Sequence, residues 1–283
     1  MICFPNAKIN IGLHVLNKRQ DGFHNIETVF YPAGIFDVLE IVESGEDKTP
    51  LDITGISVPG NPQENLCLKA YQLLKTDFDL PPVKMHLHKV IPAGAGLGGG
   101  SSDAAFTLKC LNSLFELKMK TETLQFYAAK LGSDCAFFIP NTPCIAYEKG
   151  DRLEPVHINL DDYYIVIVFP DISINTKSAY ANINTKKPGF SLSETGILPV
   201  SEWKHHIHND FESYVFQKHP EIKKIKEIFY DCHALYASLT GSGSAVYGLF
   251  KERPRIPEEK IPWKKYIIKS GHTAIHAGAD LYP

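Results

Sequence analysis

Apolar and polar residues alternate along Lys8-Ile9-Asn10-Ile11-Gly12-Leu13-His14-Val15-Leu16, and a period of two predicts a strand with one buried face. Ile9, Ile11 and Leu13 would point to the core, leaving Lys8, Asn10 and Gly12 on the other side. A solvated strand face is the ordinary reading of such a set. Asp21-Gly22 then supplies a turn signal. Residues 26–42 are again rich in Ile, Val, Phe and Tyr and predict a second strand region. Asn65 is placed to cap a helix over 66–76, with Leu66, Ala70, Leu73 and Leu74 on one face. Residues 83–90 alternate and predict another strand, which Pro92 ends.

The glycine-dense run Gly94-Ala95-Gly96-Leu97-Gly98-Gly99-Gly100 follows Pro92-Ala93, and Ser101-Ser102-Asp103 opens a long apolar helix reaching about residue 117. A further helix starts at Thr121 and stops at Leu131-Gly132, glycine being a common helix end. Residues 163–169 predict a buried strand. Residues 184–208 show no clear period and predict a surface connection. Helices are expected over 210–218 and 220–231, with Pro220 in a first turn. A second Gly/Ser loop, Thr240-Gly241-Ser242-Gly243-Ser244, leads into a strand over 245–250. This order suggests α+β layers rather than regular βαβ alternation. Two lobes are expected, 1–155 and 156–283.

At about 100–200 residues per domain, 283 residues allow one large or two medium domains. A hydrophobic fraction of 44% with 22% charged residues excludes disorder and coiled coil as the main state. The formal net charge of −3 argues against a broad nucleic-acid surface but leaves room for a local site for a small anion. The longest apolar run, 163–169, is far short of the roughly 18–20 residues that a membrane helix needs. Asn6, Lys8 and Asn10 interrupt the N-terminus, so no secretory core is read there. Six cysteines, at 3, 67, 110, 135, 144 and 232, form no CxxC pair and read as reduced thiols of a cytoplasmic protein.

Gly94, Gly96 and Gly99 formally satisfy G-x-G-x-x-G, but the helix after them is followed by another helix, which argues against a dinucleotide fold. No Walker motif is present. The physical content of the run is an anion site: backbone N–H groups converge without side chains, and Ser101-Ser102 lie at a helix N-terminus. So many glycines also cost chain entropy that a plain turn has no need of. Asp103, in the first turn, suits dipole compensation as well as a catalytic or metal-related role. Asp134 follows a helix stop and precedes five apolar residues, so it reads as a cap or as a carboxylate at the edge of a dry pocket. His86 with His88, and His205, His206 and His208, lack a third ligand at recognisable spacing, so no metal site is expected from them.

Taken together these segments resemble the GHMP small-molecule kinases. Residues 92–105, PAGAGLGGGSSDAA, are similar to their phosphate loop, and residues 239–250, LTGSGSAVYGLF, to their C-terminal glycine motif. Residues 5–24, PNAKINIGLHVLNKRQDGFH, narrow the resemblance to the members whose alcohol substrate carries a cytidine diphosphate. LGSDCAFFI at 131–139, AYEKGDRL at 146–153 and NDFE at 209–212 agree with it. Phe23 stands where tyrosine is usual, and Cys135-Ala136 where Val-Pro is usual; neither change removes a charged group.

The resemblance implies the two-lobed GHMP fold, with an N-terminal lobe related to the second domain of ribosomal protein S5 and a ferredoxin-like C-terminal lobe. It implies ATP as co-substrate, Mg²⁺, and a small cytidyl alcohol as acceptor, with neither nucleic acid nor membrane as partner, in a monomer or homodimer. Lys8 and Asp134 would be catalytic, Asp134 as the base. Pro92, Ala93, Gly94, Ala95, Gly96, Leu97, Gly98, Gly99, Gly100, Ser101 and Ser102 would wrap ATP, with Ser102 a candidate Mg²⁺ ligand. Asn65 and Leu66 would line the adenine pocket. Asn10, Phe23, His24, Phe30, Tyr180, Gly241, Ser242 and Gly243 would meet the substrate. The alternatives are another GHMP kinase, of homoserine or mevalonate type, and a non-catalytic nucleotide-binding regulator.

Overall fold

The structure is a computed structural model that describes residues 1–270 other than 47, 184, 186 and 187. The chain opens with a short edge strand β1 (Ile2–Cys3) and a long hairpin, β2 (Asn6–Lys18) and β3 (His24–Phe36), whose turn holds Asp21-Gly22. The apolar stretch expected over 26–42 is two strands rather than one. Asp37 separates β3 from β4 (Val38–Glu43), and the two join different sheets. The cause is the Asp37 carboxylate, which turns inward and accepts the Val90 and Ile91 N–H groups at 2.6 and 2.9 Å.

Next come β5 (Leu51–Gly55), α1 (Leu66–Lys75), β6 (Val83–Lys89), α2 (Gly99–Leu114), α3 (Thr121–Leu131), β7 (Cys144–Glu148) and β8 (Arg152–Pro155). Asn65 caps α1 as expected, its Oδ1 accepting the Cys67 N–H at 2.9 Å, a contact worth about 1 kcal/mol. Gly132 ends α3. The helix expected from Ser101 starts two residues earlier, at Gly99, so both serines sit inside its first turn. The C-terminal half holds β9 (Tyr164–Phe169), α4 (Thr176–Ala181), α5 (Trp203–His206), α6 (Phe211–Lys218), α7 (Pro220–Asp231), β10 (Tyr236–Leu239), β11 (Val246–Phe250) and β12 (Lys264–Lys269).

Among the described residues three four-stranded sheets result, in the orders β1-β4-β6-β5, β2-β3-β7-β8 and β10-β11-β9-β12. The third is antiparallel throughout and has the ferredoxin-like order, its second, third, first and fourth strands side by side. The first sheet packs Leu39, Ile41, Met85 and Leu87 under α1, α2 and α3. The second lies between layers. Ala7, Ile9, Ile11, Val29 and Tyr31 face Ile165, Ile167, Tyr247 and Leu249 of the third sheet, while Phe30 and Ala146 face the α2 side. The outer face of the third sheet is closed by α6 and α7 through Phe211, Ile222, Ile225 and Phe229.

This sandwiching buries both faces of β2 from Asn6 to Val15, and so overturns a solvated face for Lys8 and Asn10. The expected 184–208 surface connection is also corrected. Leu192, Val200, Trp203 and Ile207 are buried in the core with Ile9 and Tyr247, apart from residues 184, 186 and 187, which lie outside the described residues. Two 3₁₀ turns and one α-turn follow one another between residues 192 and 206, so the apolar spacing there follows no single period.

Candidate active site

Backbone geometry explains the glycines. Gly96 and Gly98 take φ of +78° and +70°, which only glycine adopts freely. A Cβ on Gly96 would lie 2.0 Å from the Thr240 carbonyl oxygen. The two glycine loops therefore touch backbone to backbone, and the Ala245 N–H donates to Ala95 O at 3.2 Å. Thr240 Oγ1 accepts the Asn10 N–H at 3.0 Å and donates to Gly96 O at 3.0 Å. Asn209 holds the second loop from below, its Nδ2 donating to Leu239 O and Gly241 O at 3.0 and 2.9 Å. Ser242 Oγ is 3.0 Å from Thr176 Oγ1.

Within the first loop the residues divide by role. Pro92, Ala95, Leu97 and Gly99 are buried, and the side chains of Ala95 and Leu97 pack into the core. Ala93, Gly94, Gly96, Gly98 and Gly100 keep some exposure and form the outer surface. The first α2 hydrogen bond runs from Ser102 N–H to Gly98 O at 2.9 Å, so helix geometry leaves the N–H groups of residues 99–101 free for an anion. Ser102 is fully buried, and its Oγ has no hydrogen-bond partner among the described residues.

Lys8 reaches this junction from β2. Its Nζ donates to Asn10 Oδ1 at 2.6 Å and to Gly96 O at 3.0 Å, and lies 3.5 Å from Asp134 Oδ2. Burial pushes its pKa below the ordinary lysine value, with the Asp134 charge opposing the shift. Asp134 heads the short 3₁₀ turn Cys135–Phe138, makes no capping hydrogen bond and stays about a third exposed (34%). The carboxylate is thus open to a ligand on one side and paired with a buried ammonium on the other. Phe30 is buried beneath Lys8, 5.1 Å from Nζ to ring centroid, and packs on Phe137. It floors the Lys8 end of the site rather than forming an open wall for a base.

The aromatic end is built from three elements. His24, opening β3, stacks on Tyr180 of α4 with centroids 4.9 Å apart and planes 16° apart, and Tyr180 meets Phe211 edge-on at 4.9 Å. Burial, together with the Asp134 charge, pushes the Tyr180 phenol up to about 12, so it is neutral. Burial and then the Lys18 charge lower the pKa of His24, leaving a neutral imidazole with one donor and one acceptor at neutral pH. Phe23 is an exposed aromatic, 59% accessible, at the end of the β2–β3 turn.

Asn65 and Leu66 share one cavity with Pro59, Ala93, Gly100 and Lys89 at the α1 and α2 N-termini. Beside it lies a buried charge cluster that sequence reasoning missed. Lys89 Nζ donates to Asp37 Oδ2 and, at 2.7 Å, to Asp103 Oδ2. The readings of Asp103 as a free first-turn charge or a catalytic group give way to this pairing. Burial raises Asp103 to about 8 despite the Lys89 charge, while the two carboxylates together outweigh burial and raise Lys89. A signal was present, since Lys89 continues the buried register of Val83, Met85 and Leu87 where an apolar residue belongs. Thr240 and Asn209 left no signal of comparable kind. His86 and His88 both hydrogen-bond Thr54 Oγ1, and no group of three metal-ligating side chains occurs among the described residues.

Residues 65–141 match the GHMP kinases N terminal domain and residues 200–263 the GHMP kinases C terminal family. A 4-diphosphocytidyl-2-C-methyl-D-erythritol kinase of Parabacteroides distasonis is 49% identical over 261 residues, covering 92% of this chain and 96% of its own. The enzyme of that name from Bacteroides thetaiotaomicron is 51% identical over 260 residues, covering 91% and 95%. A crystal structure of 4-(cytidine 5'-diphospho)-2C-methyl-D-erythritol kinase superposes with a TM-score of 0.79 at 29% identity, over 94% of this chain and 98% of that one. Homoserine kinase from Cytophaga hutchinsonii shares the fold, with a TM-score of 0.62 at 16% identity over 93% of both chains.

Proposed function

Because the chain belongs to the 4-diphosphocytidyl-2-C-methyl-D-erythritol kinases of the GHMP kinase family, we propose that it transfers the γ-phosphoryl group of ATP to the 2-hydroxyl of 4-diphosphocytidyl-2-C-methyl-D-erythritol. The products are the 2-phosphate and ADP, in the non-mevalonate route to isopentenyl diphosphate. The observation that carries the chemistry is the Lys8–Asp134 pair, 3.5 Å apart at the junction of two glycine loops.

Asp134 takes the hydroxyl proton as the oxygen attacks the γ-phosphorus, and the bond from that phosphorus to the β-bridging oxygen breaks to release ADP. Lys8 lies beside the developing charge, oriented by Asn10 and Gly96. Phosphoryl transfer passes through a loose transition state, so this pair acts by alignment and charge compensation more than by strong basicity. The free N–H groups at the α2 N-terminus receive the ATP phosphates, and the Asn65–Leu66 cavity takes the adenine. Phe23, His24 and Tyr180 hold the cytosine, the neutral imidazole reading its polar edge. Gly241, Ser242 and Gly243 close over the reacting groups from the C-terminal side.

The Ser102 hydroxyl, a buried oxygen beside the phosphate loop without a hydrogen-bond partner among the described residues, fits a hard divalent cation. Ser102 would hold Mg²⁺, which when bound neutralises phosphate charge.

The division into lobes at 155/156 is supported by the first two sheets ending with β8 at Pro155 and the third starting at β9. Five buried free cysteines suit a reducing cytoplasm. The relatives at about 50% identity favour this reading over a homoserine or mevalonate kinase, which the chain resembles in fold alone. A coupled ADP-release assay tests it: turnover with the cytidyl alcohol is expected, and turnover with mevalonate or homoserine instead would overturn it.

A further inference from the structure

Asp37, Lys89 and Asp103 have no part in the chemistry above, and their side chains are only 0%, 4% and 5% exposed. Buried ion clusters add little net stability, because desolvation offsets their attraction, so core packing does not explain this one. Its place along the chain does. Asp37 Oδ1 accepts the N–H groups of Val90 and Ile91 at 2.6 and 2.9 Å, the last residues before Pro92 opens the phosphate loop. Asp103 lies in α2 just past Ser102, where the loop ends, and accepts from Lys89 Nζ at 2.7 Å. Lys89 joins the two, since its Nζ also donates to Asp37 Oδ2. The same ammonium lies against the first residue of α2, where a Cβ on Gly99 would stand 3.3 Å from it. The entry and the exit of the loop are therefore bound to one another through a single lysine.

Between those ends the loop has little local means of keeping its shape. Gly94, Gly96 and Gly98 all take positive φ, and glycine loses more conformational freedom on ordering than any other residue. Anion binding needs the N–H groups of residues 99–101 to converge, and that convergence shifts with any motion of β6 relative to α2. The Thr240 contact at Gly96 holds the middle of the loop and leaves its ends to other groups. We propose that Asp37, Lys89 and Asp103 are positioning residues for ATP, a clamp that fixes the two ends of the phosphate loop so that its N–H groups stand ready for the phosphates. This inference rests on the reading of the chain as an ATP-dependent kinase. Asp37 lies outside the cavity that Lys89 and Asp103 help to line, so it reaches ATP through Lys89 and the loop.

The test is calorimetric titration of the full chain with ATP and, separately, with CDP, with thermal midpoints on the same preparations. Asp37→Asn keeps an oxygen for Val90 and Ile91 but cuts the tie to Lys89, and Asp103→Ala cuts the other tie. In either variant Lys89 keeps one carboxylate. Each should weaken ATP about three- to tenfold, the range for one lost hydrogen bond, and leave CDP unchanged. Asp103→Asn retains the acceptor and should bind ATP nearly as wild type does. Ile41→Ala, in the core further along β4, should lower the midpoint and leave ATP affinity intact. ATP affinity kept in both Asp37→Asn and Asp103→Ala, or lost equally in Ile41→Ala, would reduce the cluster to a structural one and overturn the clamp while the kinase reading stands. A loss in Asp103→Ala with none in Asp37→Asn would place Asp103 in the wall of the base cavity and overturn the clamp as well. Where Asp37→Asn does not fold, the contrast between Asp103→Ala and Asp103→Asn decides. Failure of wild type to bind ATP overturns both the clamp and the kinase reading.

Discussion

Gly96→Ala is expected to part the two glycine loops. The new Cβ would fall 2.0 Å from Thr240 O and 2.8 Å from Thr240 C, both backbone atoms that cannot rotate away. Relief needs a shift of more than 1 Å, to reach ordinary contact at about 3.4 Å. Such a shift breaks or stretches the Thr240 Oγ1 and Lys8 Nζ bonds to Gly96 O and the Ala245 N–H bond to Ala95 O. At about 1 kcal/mol each, with about 1–2 kcal/mol for a side chain at φ +78°, the loss is about 4–5 kcal/mol. Gly98→Ala meets only side chains, Phe138 Cζ at 3.0 Å and Lys8 Cγ at 3.1 Å, and should cost less. Gly100→Ala meets nothing closer than Leu66 Cδ1 at 3.9 Å, inside a helix, and should be neutral or gain up to about 1 kcal/mol. Urea unfolding and KM for ATP on the three variants give the order. Equal stability and equal KM for Gly96→Ala and Gly100→Ala would refute the loop-to-loop contact.

Asp103→Asn should remove a pH dependence. The folded chain keeps a proton up to about pH 8 that the unfolded chain gives up near pH 4, so wild-type stability falls as pH rises through that window. The urea midpoint of Asp103→Asn should lose that part of the slope between pH 5 and 8.5; an unchanged slope refutes it. Phe23→Ala should raise KM for the cytidyl substrate roughly ten- to a hundredfold, from a base stack worth about 1–3 kcal/mol, with KM for ATP little changed and Phe23→Tyr tolerated. An equal rise in both KM values would mark Phe23 as structural. Lys8→Met should lower kcat strongly, and combining it with Asp134→Asn should be far from additive, since the two act as a unit; additive losses in steady-state kcat would contradict that.

The parts of the fold legible in the sequence were those with local causes. The Asn65 cap, the Gly132 stop, the alternation of β2 and the Pro220 first turn each depend on neighbours within a few residues. The glycine loop was legible for the same reason. What covers an element was not legible. Lys8 looked solvated because its alternation resembles that of any half-exposed strand, while groups that pack on it, Gly96 and Gly98 of the glycine loop and Asp134, lie far along the chain. The Lys89 cluster joins partners 52 and 14 residues apart, so no window could reveal it, although a charged residue in the buried register of β6 was a local irregularity. Strands β5, β7, β8 and β12 are short and only partly apolar, and they form because a sheet edge is there to pair with. The division of the site between aromatic and ionic ends became legible through the family resemblance, since Phe23 and Tyr180 share no sequence neighbourhood.

The central claim is that Asp134 accepts the substrate proton in a kinase reaction, and Asp134→Asn tests it most directly. Single-turnover phosphorylation of 4-diphosphocytidyl-2-C-methyl-D-erythritol and the thermal midpoint should be measured on one preparation of each protein. The account predicts transfer by wild type and a rate lower by about 10²–10⁴-fold in the variant, with any fall in the midpoint coming from the lost charge beside the buried Lys8 rather than from a cap, which the carboxylate does not make. A lowered midpoint with the transfer rate intact would return Asp134 to a capping role and contradict the account.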